Sequence, residues 1–304
     1  MKKTEDTKII SFWGKGGVGK TTCSVSYAIY LANQGFNTLL ITSDPTPSLS
    51  DILNMRIGAK RKKIGNLSLN AIELDEETIT DMWKKKFGAE VYKVISAFLP
   101  VENSIIDYVA GAPGIADEFM LSYILDLYKT KDYDYIIWDT APAGGTLRLI
   151  KIQEKFYEHL GEAAKLYLTF KTIIDKIRQG EKSPLEIIES WRDLAQNVLN
   201  FLSSRDFSAH VVTVSEWLGL TQTRRIIDEL KEFNINIGGI IVNQIIQDSN
   251  RPLKGKPKIH QKYLKIIDET YSGYKILKIP IQHYELRGIN QLYKFSKYLT
   301  TIYH

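Results

Sequence analysis

One cysteine, Cys23, stands in a chain of 304 residues, and its solitude forbids an internal disulfide and most cysteine-based metal sites. It lies where the first helix is expected to begin, so it reads as buried packing rather than as a reactive thiol. Long apolar runs are missing as well. No uninterrupted apolar stretch approaches the roughly 20 residues of a membrane-spanning helix, and the N-terminal MKKTEDTK leads straight into the first expected strand without the apolar core of a signal peptide. The expectation is a cytoplasmic protein, peripheral to a membrane at most. Internal repeats are absent, so any dimer of this unit must be made from two chains.

Basic runs occur without interleaved aromatics: Lys60-Arg61-Lys62-Lys63, Lys84-Lys85-Lys86, and the stretch from Arg251 to Lys262, within a formal net charge of +5. They read as solvated loops and helix faces, and no nucleic-acid partner is expected. A composition 44% hydrophobic and 25% charged excludes disordered and fibrous classes, and the length suffices for one large α/β domain or two smaller ones.

What is present begins at residues 8–22, KIISFWGKGGVGKTT. An apolar run, Ile9 to Trp13, reads as a buried strand; Gly14 to Thr21 fits G-x-x-x-x-G-K-[ST]; Val25, Ala28, Ile29 and Ala32 follow at helical spacing. Gly14, Gly16, Gly17 and Gly19 let the backbone around Val18 turn its N–H groups toward phosphate oxygens at a helix N-terminus. Lys20 is expected on the β and γ phosphates of ATP, and the Thr21 hydroxyl, followed by Thr22, on Mg²⁺. Lys15 is one lysine more than such a cradle requires. Its cation is either merely solvated, as a lysine in a glycine loop can be, or becomes useful by crossing to the nucleotide of a facing subunit and offsetting charge that develops there.

Two further segments face the same site. ITSDPTPSLSD, Ile41 to Asp51, follows the second strand. Its Asp44, followed by Pro45, either orients a water for attack on the γ-phosphate or forms an Asx turn that opens the next helix; the loop upstream favours the first. In DYIIWDTAPAGGTLRL, Asp134 to Leu149, a strand delivers Asp139 to the carboxyl edge of the sheet, to hold Mg²⁺ through water. Thr140, Ala141, Pro142, Gly144 and Gly145 then form a segment able to switch with the γ-phosphate.

Short β-branched runs at Ile9–Trp13, Thr38–Thr42, Leu69–Ile72, Tyr135–Asp139, Val211–Val214, Gly239–Val242 and Lys275–Ile279 alternate with helical patterns. The expected fold class is α/β, a mostly parallel sheet covered by helices on both faces in a single phosphate-loop ATPase domain spanning 1–304. Residues 75–129 and 150–205 read as a helical subdomain mounted on it, with Gly180 to Pro184 as a turn.

GKGGVGKT resembles the deviant Walker A pattern shared by MinD, ParA, the nitrogenase iron protein and the arsenical-pump ATPases. That resemblance implies a nucleotide-sandwich dimer. DPTPSLSD and DTAPAGGTLRL resemble the two switch motifs of one branch, the ATPases that drive arsenical pumps and target tail-anchored membrane proteins (the ArsA/GET family). SEWLGLTQTRRIIDEL at 215–230, IIVNQ at 240–244 and IPIQHYELRGINQLYKFSKYL at 279–299 are similar to the same family, so the likeness covers nearly the whole chain. It implies a Mg²⁺-dependent ATPase in which Lys15 is the signature lysine and Asp44 the hydrolytic carboxylate. By the same likeness Glu216 approaches nucleotide, Asn243 reads adenine, and Pro280 packs near the base. Asn243 also reads two ways by itself: an amide can pair donor and acceptor with an adenine edge, or it can simply turn the chain after a strand.

The departures shape the partner expectations. Pro47 and Gly145 replace the family's switch histidines. The loop NRPLKGKPKIHQKYL has no Cys-x-x-Cys, and His260 alone cannot hold a tetrahedral metal, so neither zinc nor an iron–sulfur cluster is expected. A nucleotide-dependent homodimer handling a membrane-protein client or receptor is the leading reading. Only four methionines, at 1, 55, 82 and 120, are available for a flexible client groove; Phe156, Leu160, Leu166, Leu168, Phe170, Ile173, Ile174 and Ile177 form an apolar series that reads as groove or, slightly better, as core. An arsenite-pump ATPase, a MinD/ParA-like positioning ATPase and a nucleotide-dependent scaffold are the alternatives. For the positioning reading Leu286, Ile289, Leu292, Phe295 and Leu299 offer a membrane face, although a core helix is the more economical account.

Overall fold

The β-branched and aromatic runs become strands whose two faces are both covered, as a parallel sheet requires. The computed structural model describes residues 6–44, 48–97, 99–112, 114–141, 182–246 and 255–303, with a few positions between 158 and 165. Seven strands run parallel: β1 Lys8–Trp13, β2 Thr38–Thr42, β4 Leu69–Glu73, β5 Tyr135–Asp139, β6 Phe207–Val214, β7 Ile237–Ile245 and β8 Ile276–Pro280. The two-residue β3, Lys62–Lys63, pairs antiparallel with β4. Their order is β3-β4-β2-β5-β1-β6-β7-β8.

Register decides where the chemistry falls. β1 lies between β5 and β6, with Phe12 opposite Asp139 and Trp13 opposite Val211, while Thr42 of β2 also stands opposite Asp139. The glycine loop after Trp13 therefore leaves the middle of the sheet at its carboxyl edge, flanked by the ends of β5 and β6, where open α/β sheets bind ligands. Ile9, Phe12 and Trp13 are fully buried, and the Trp13 ring meets Trp138 edge-on at 5.8 Å.

Helix α1, Lys20–Asn33, follows the loop, and α2, Ser48–Leu53, follows β2. Near the C-terminus α9, Gly288–Ser296, packs on α1. Its Leu292 and Phe295, and Leu299 beyond it, are fully buried in the same core as Val25, Ala28 and Ile29, with Leu286 and Ile289 packed against that core. Of the two readings of this series, the structure displays the core helix. No helix among the described residues is long and apolar enough to cross a membrane.

The chain divides into two compact units. The first comprises residues 1–75, 127–147 and 203–304, and the second 76–126 and 148–202. Within the second lie α3 Glu76–Ser96, α4 Ser104–Ala110, most of α5 Ile115–Lys129, and α6 Pro184–Leu202. Ser183 and Glu186 cap α6 reciprocally: the Ser183 N–H donates to the Glu186 carboxylate at 2.6 Å and the Glu186 N–H to the Ser183 hydroxyl at 3.2 Å. With Pro184 at the first helical position, SPLE is a capping box that starts a helix. Two lysines of the second basic run have acidic partners, Lys84 with Asp107 at 2.7 Å and Lys86 with Asp126 at 2.5 Å. The apolar series from Phe156 to Ile177, the turn at Gly180, and Pro45, Pro47, Pro142, Gly144 and Gly145 lie outside the described residues.

Candidate active site

The glycine loop takes its shape from left-handed backbone. Gly17 and Gly19 have φ of 81° and 96°, and the Gly19 carbonyl accepts the Cys23 N–H at 3.0 Å to open α1. Close approach excludes side chains at two positions. A Cβ on Gly14 would stand 2.3 Å from the Val212 carbonyl oxygen, and one on Gly19 2.3 Å from Asn243 Nδ2. The loop is thus held from β6 and β7, and its turn depends on residues that only glycine can supply.

The two lysines of the loop have different surroundings. Lys20 is buried, and its ammonium donates to the Lys15 carbonyl at 3.3 Å. Burial lowers its pKa, while Asp139 and Asp44 oppose that fall. Lys15 is exposed on the wall of a cavity of about 250 Å³ that also presents Gly16, Gly17, Val18, Glu216, Gln244, His260 and Ile281. Its side chain has no ion pair among the described residues.

Asp139 is wholly buried, and neither carboxylate oxygen reaches a hydrogen-bond donor in good geometry among the described residues. Burial pushes its pKa up to about 7; the Thr21 hydroxyl, Lys20 and the Ser24 hydroxyl draw it down, and Asp44 adds to the rise. A buried carboxyl left this way calls for a proton or a cation. Mg²⁺, with Thr21 and Asp139 as its protein side, fits that donor set and would neutralise phosphate charge there. Cys23, directly beneath, is fully buried, and burial pushes its thiol far up, with Asp139 adding to the effect. It packs as an inert thiol.

Three strand ends are tied together around Asp139. The Thr42 hydroxyl donates to its carbonyl at 3.3 Å and the Ser43 N–H at 3.1 Å. Ser43 Oγ in turn accepts from Trp138 Nε1 at 3.0 Å and from the Ala141 N–H at 3.3 Å, while Thr140 Oγ1 donates to the Phe12 carbonyl at 2.7 Å. Asp44 follows immediately, its N–H on Thr42 Oγ1 at 3.1 Å. Both expected switch segments therefore leave from one hydrogen-bonded knot. Ser43 and Glu73 escaped the sequence reading. Glu73, at the end of β4, accepts the Leu49 N–H at 2.7 Å and the Ser50 N–H at 3.3 Å, with a short bond from Ser50 Oγ, so it caps α2 beyond the Asp44 segment. An acid closing an apolar strand, LNAIE, was the available signal.

The structure places Asn243 against the loop. Its Nδ2 donates to the Val18 carbonyl at 2.9 Å and its Oδ1 accepts the Gln244 N–H at 2.9 Å, which leaves one N–H and one acceptor position for an outside partner. Gln244, in left-handed backbone at φ 57°, adds a second tie from Nε2 to the Gly17 carbonyl at 3.3 Å. Glu216 begins α7, Trp217–Glu232, and its carboxylate lies 3.5 Å from Nε2 of the buried His260 on α8, Lys256–Thr270. The Ile246 N–H points at His260 Nδ1 at 3.4 Å, which leaves the ring proton on Nε2, toward Glu216. Pro280 ends β8, and its neighbour Ile281 forms part of the cavity wall. Thr22 continues α1, half-buried beside the loop.

A strand–glycine loop–helix unit at the centre of a parallel sheet, with a buried lysine and a strand-end aspartate, defines a phosphate-loop nucleotide hydrolase. Comparison narrows the class. Residues 7–301 match the model of the ArsA ATPase family, described as anion-transporting ATPase, and the chain belongs to that family of ATP-hydrolysing enzymes. Among its relatives, the ATPase GET3 of Komagataella phaffii is 31% identical across 99% of this chain and 92% of its own. GET3A of Arabidopsis thaliana is 31% identical across 99% and 86%. An Aquifex aeolicus protein under the provisional name arsenical pump-driving ATPase 2 is 31% identical across 96% and 99%.

Proposed function

We propose that this ATPase is a Mg²⁺-dependent cytoplasmic switch in which two copies close on nucleotide and the helical unit handles a membrane-protein client. The observation that carries the two-chain reading is the contrast within one loop: Lys20 is buried, whereas Lys15 stands exposed on the cavity wall. A second cation so placed has work to do if a second nucleotide approaches it.

The steps assigned to this chain's own residues are few. Loop N–H groups and Lys20 would bind the phosphates, Thr21 and, through water, Asp139 would hold the metal, and Asp44 would orient the attacking water. Asn243 keeps one amide N–H and one acceptor position for the base, and Glu216 with His260 closes the cavity wall. Loss of the γ-phosphate would loosen the knot of Thr42, Ser43 and Thr140, from which the chain runs on into the second unit after β5. The family resemblance and the GET3 relatives support the client role.

Light scattering of the Asp44→Asn protein with ATP tests the dimer, since this variant should trap it and Lys15→Ala in the same background should return it to monomer. Equal masses with and without Lys15 would remove the two-chain scheme. A pull-down with the ATP-trapped protein should recover proteins bearing an apolar membrane helix; recovery that does not depend on nucleotide would refute the switch.

A further inference from the structure

Helices α3, α4, α5 and α6 of the second unit line a cavity of about 200 Å³. Trp83, Phe87 and Trp191 supply aromatic wall, and Ile115 and Leu194 aliphatic wall. Glu118 on α5 is the exception. It is half-buried in this apolar lining, and burial pushes its pKa up to about 8, with no opposing charge among the described residues. Three charged groups on the surrounding helices have partners of their own: Lys84 pairs with Asp107 and Lys86 with Asp126, while Glu90 accepts the indole N–H of the wall residue Trp191 at 2.7 Å.

We propose that this cavity is a binding site for a hydrophobic organic cation, an ammonium whose apolar body lies against Trp83, Phe87 and Trp191 and whose charge meets the Glu118 carboxylate. A carboxylate held against apolar side chains is unfavourable until a cation or proton joins it, and aromatic walls add attraction for a cation that they do not offer a neutral group. Size fits: roughly 150 Å³ of apolar cavity already admits benzene. A bare metal ion would need more oxygen ligands than one carboxylate, and no group of three metal-binding side chains occurs among the described residues. The site is independent of the nucleotide reading, because its ligand is read without ATP.

Isothermal titration of the full-length, nucleotide-free protein at pH 8.5 tests it with benzyltrimethylammonium and its neutral isostere neopentylbenzene. The cation should bind at least about tenfold more tightly than the isostere. Glu118→Gln, which conserves volume, should abolish that preference while leaving the isostere's affinity within about twofold. Equal affinities in the wild-type protein, absence of cation binding, or a preference that survives Glu118→Gln would each overturn the assignment. The wild-type comparison alone decides the matter if the variant does not fold.

Discussion

Asp139→Asn should make the nucleotide-free protein more resistant to alkali while disabling the enzyme. A carboxyl whose folded-state pKa lies above its unfolded value binds a proton on folding, so its contribution is favourable at low pH and is lost as pH rises toward the folded pKa. Asp139 rises from its ordinary 3.8 to about 7; at about 1.4 kcal/mol per pH unit the full cost of the ionised form is on the order of 4 kcal/mol. Most of it, about 3 kcal/mol, falls between pH 5 and pH 8. The asparagine amide inherits the missing hydrogen-bond partners and costs about 1–3 kcal/mol by itself, but that cost does not vary with pH. Urea denaturation in EDTA at pH 5 and pH 8 therefore isolates the carboxyl: the wild type should lose about 3 kcal/mol relative to the variant over that window. Glu118 titrates in the same direction in both proteins and cancels. With Mg²⁺ and ATP the order should reverse, and turnover of the variant should fall about a hundredfold or more. Parallel pH dependences of wild type and variant, or undiminished Mg²⁺-dependent turnover, would show that Asp139 is neither desolvated nor a metal ligand.

Gly19→Ala places a side chain at φ 96° and 2.3 Å from Asn243 Nδ2, so it should cost about 1–3 kcal/mol in denaturation and remove nucleotide binding in a fluorescent-nucleotide titration. Retained affinity would mean that the loop relaxes where the geometry says it cannot. His260→Ala removes the group facing Glu216 and leaves the Ile246 N–H without its acceptor; a loss of about 1 kcal/mol should appear as a several-fold rise in KM for ATP with kcat nearly constant, and a fall confined to kcat would contradict a positioning role. Leu292→Ala empties a fully buried site on α9 and should cost about 2–5 kcal/mol. Its liposome flotation with ATP should match the wild type, whereas a specific loss of flotation would revive the membrane-face reading.

The parallel strands were legible because both faces are buried, and continuous runs such as IISFW and YIIWD report that directly. What escaped was set by neighbours. β3 is two exposed lysines whose pairing comes from β4, with no periodicity of their own. β6 begins at Phe207, earlier than its apolar run suggests, because buried His210 fits beside Gly238, where a Cβ would stand 2.5 Å from the ring. Burial pushes that imidazole down to about 4, with Lys275 adding to the fall, so it enters the sheet as a neutral ring. At the site, residue types with few alternatives were readable: glycines at positive φ, the loop lysine, the strand-end aspartate. Ser43, Gln244 and His260 act through partners that are distant along the chain, and no local pattern marks them.

Membership of an anion-transporting ATPase family leaves open which task this chain performs, and its thiol helps to decide. Metalloid oxyanions are captured by several convergent thiolates, whereas this chain has Cys23 alone, fully buried under Asp139 with its thiol pushed away from ionisation. Exposing it would mean dismantling the start of α1 and with it the phosphate loop. The nucleotide unit therefore offers a metalloid no accessible thiol. Stimulation of hydrolysis by arsenite or antimonite should be absent in the wild type and unchanged in Cys23→Ala. Thiol-dependent stimulation would require a second conformation of α1 that the packing of Val25, Ala28 and Ile29 against Leu292 and Phe295 opposes.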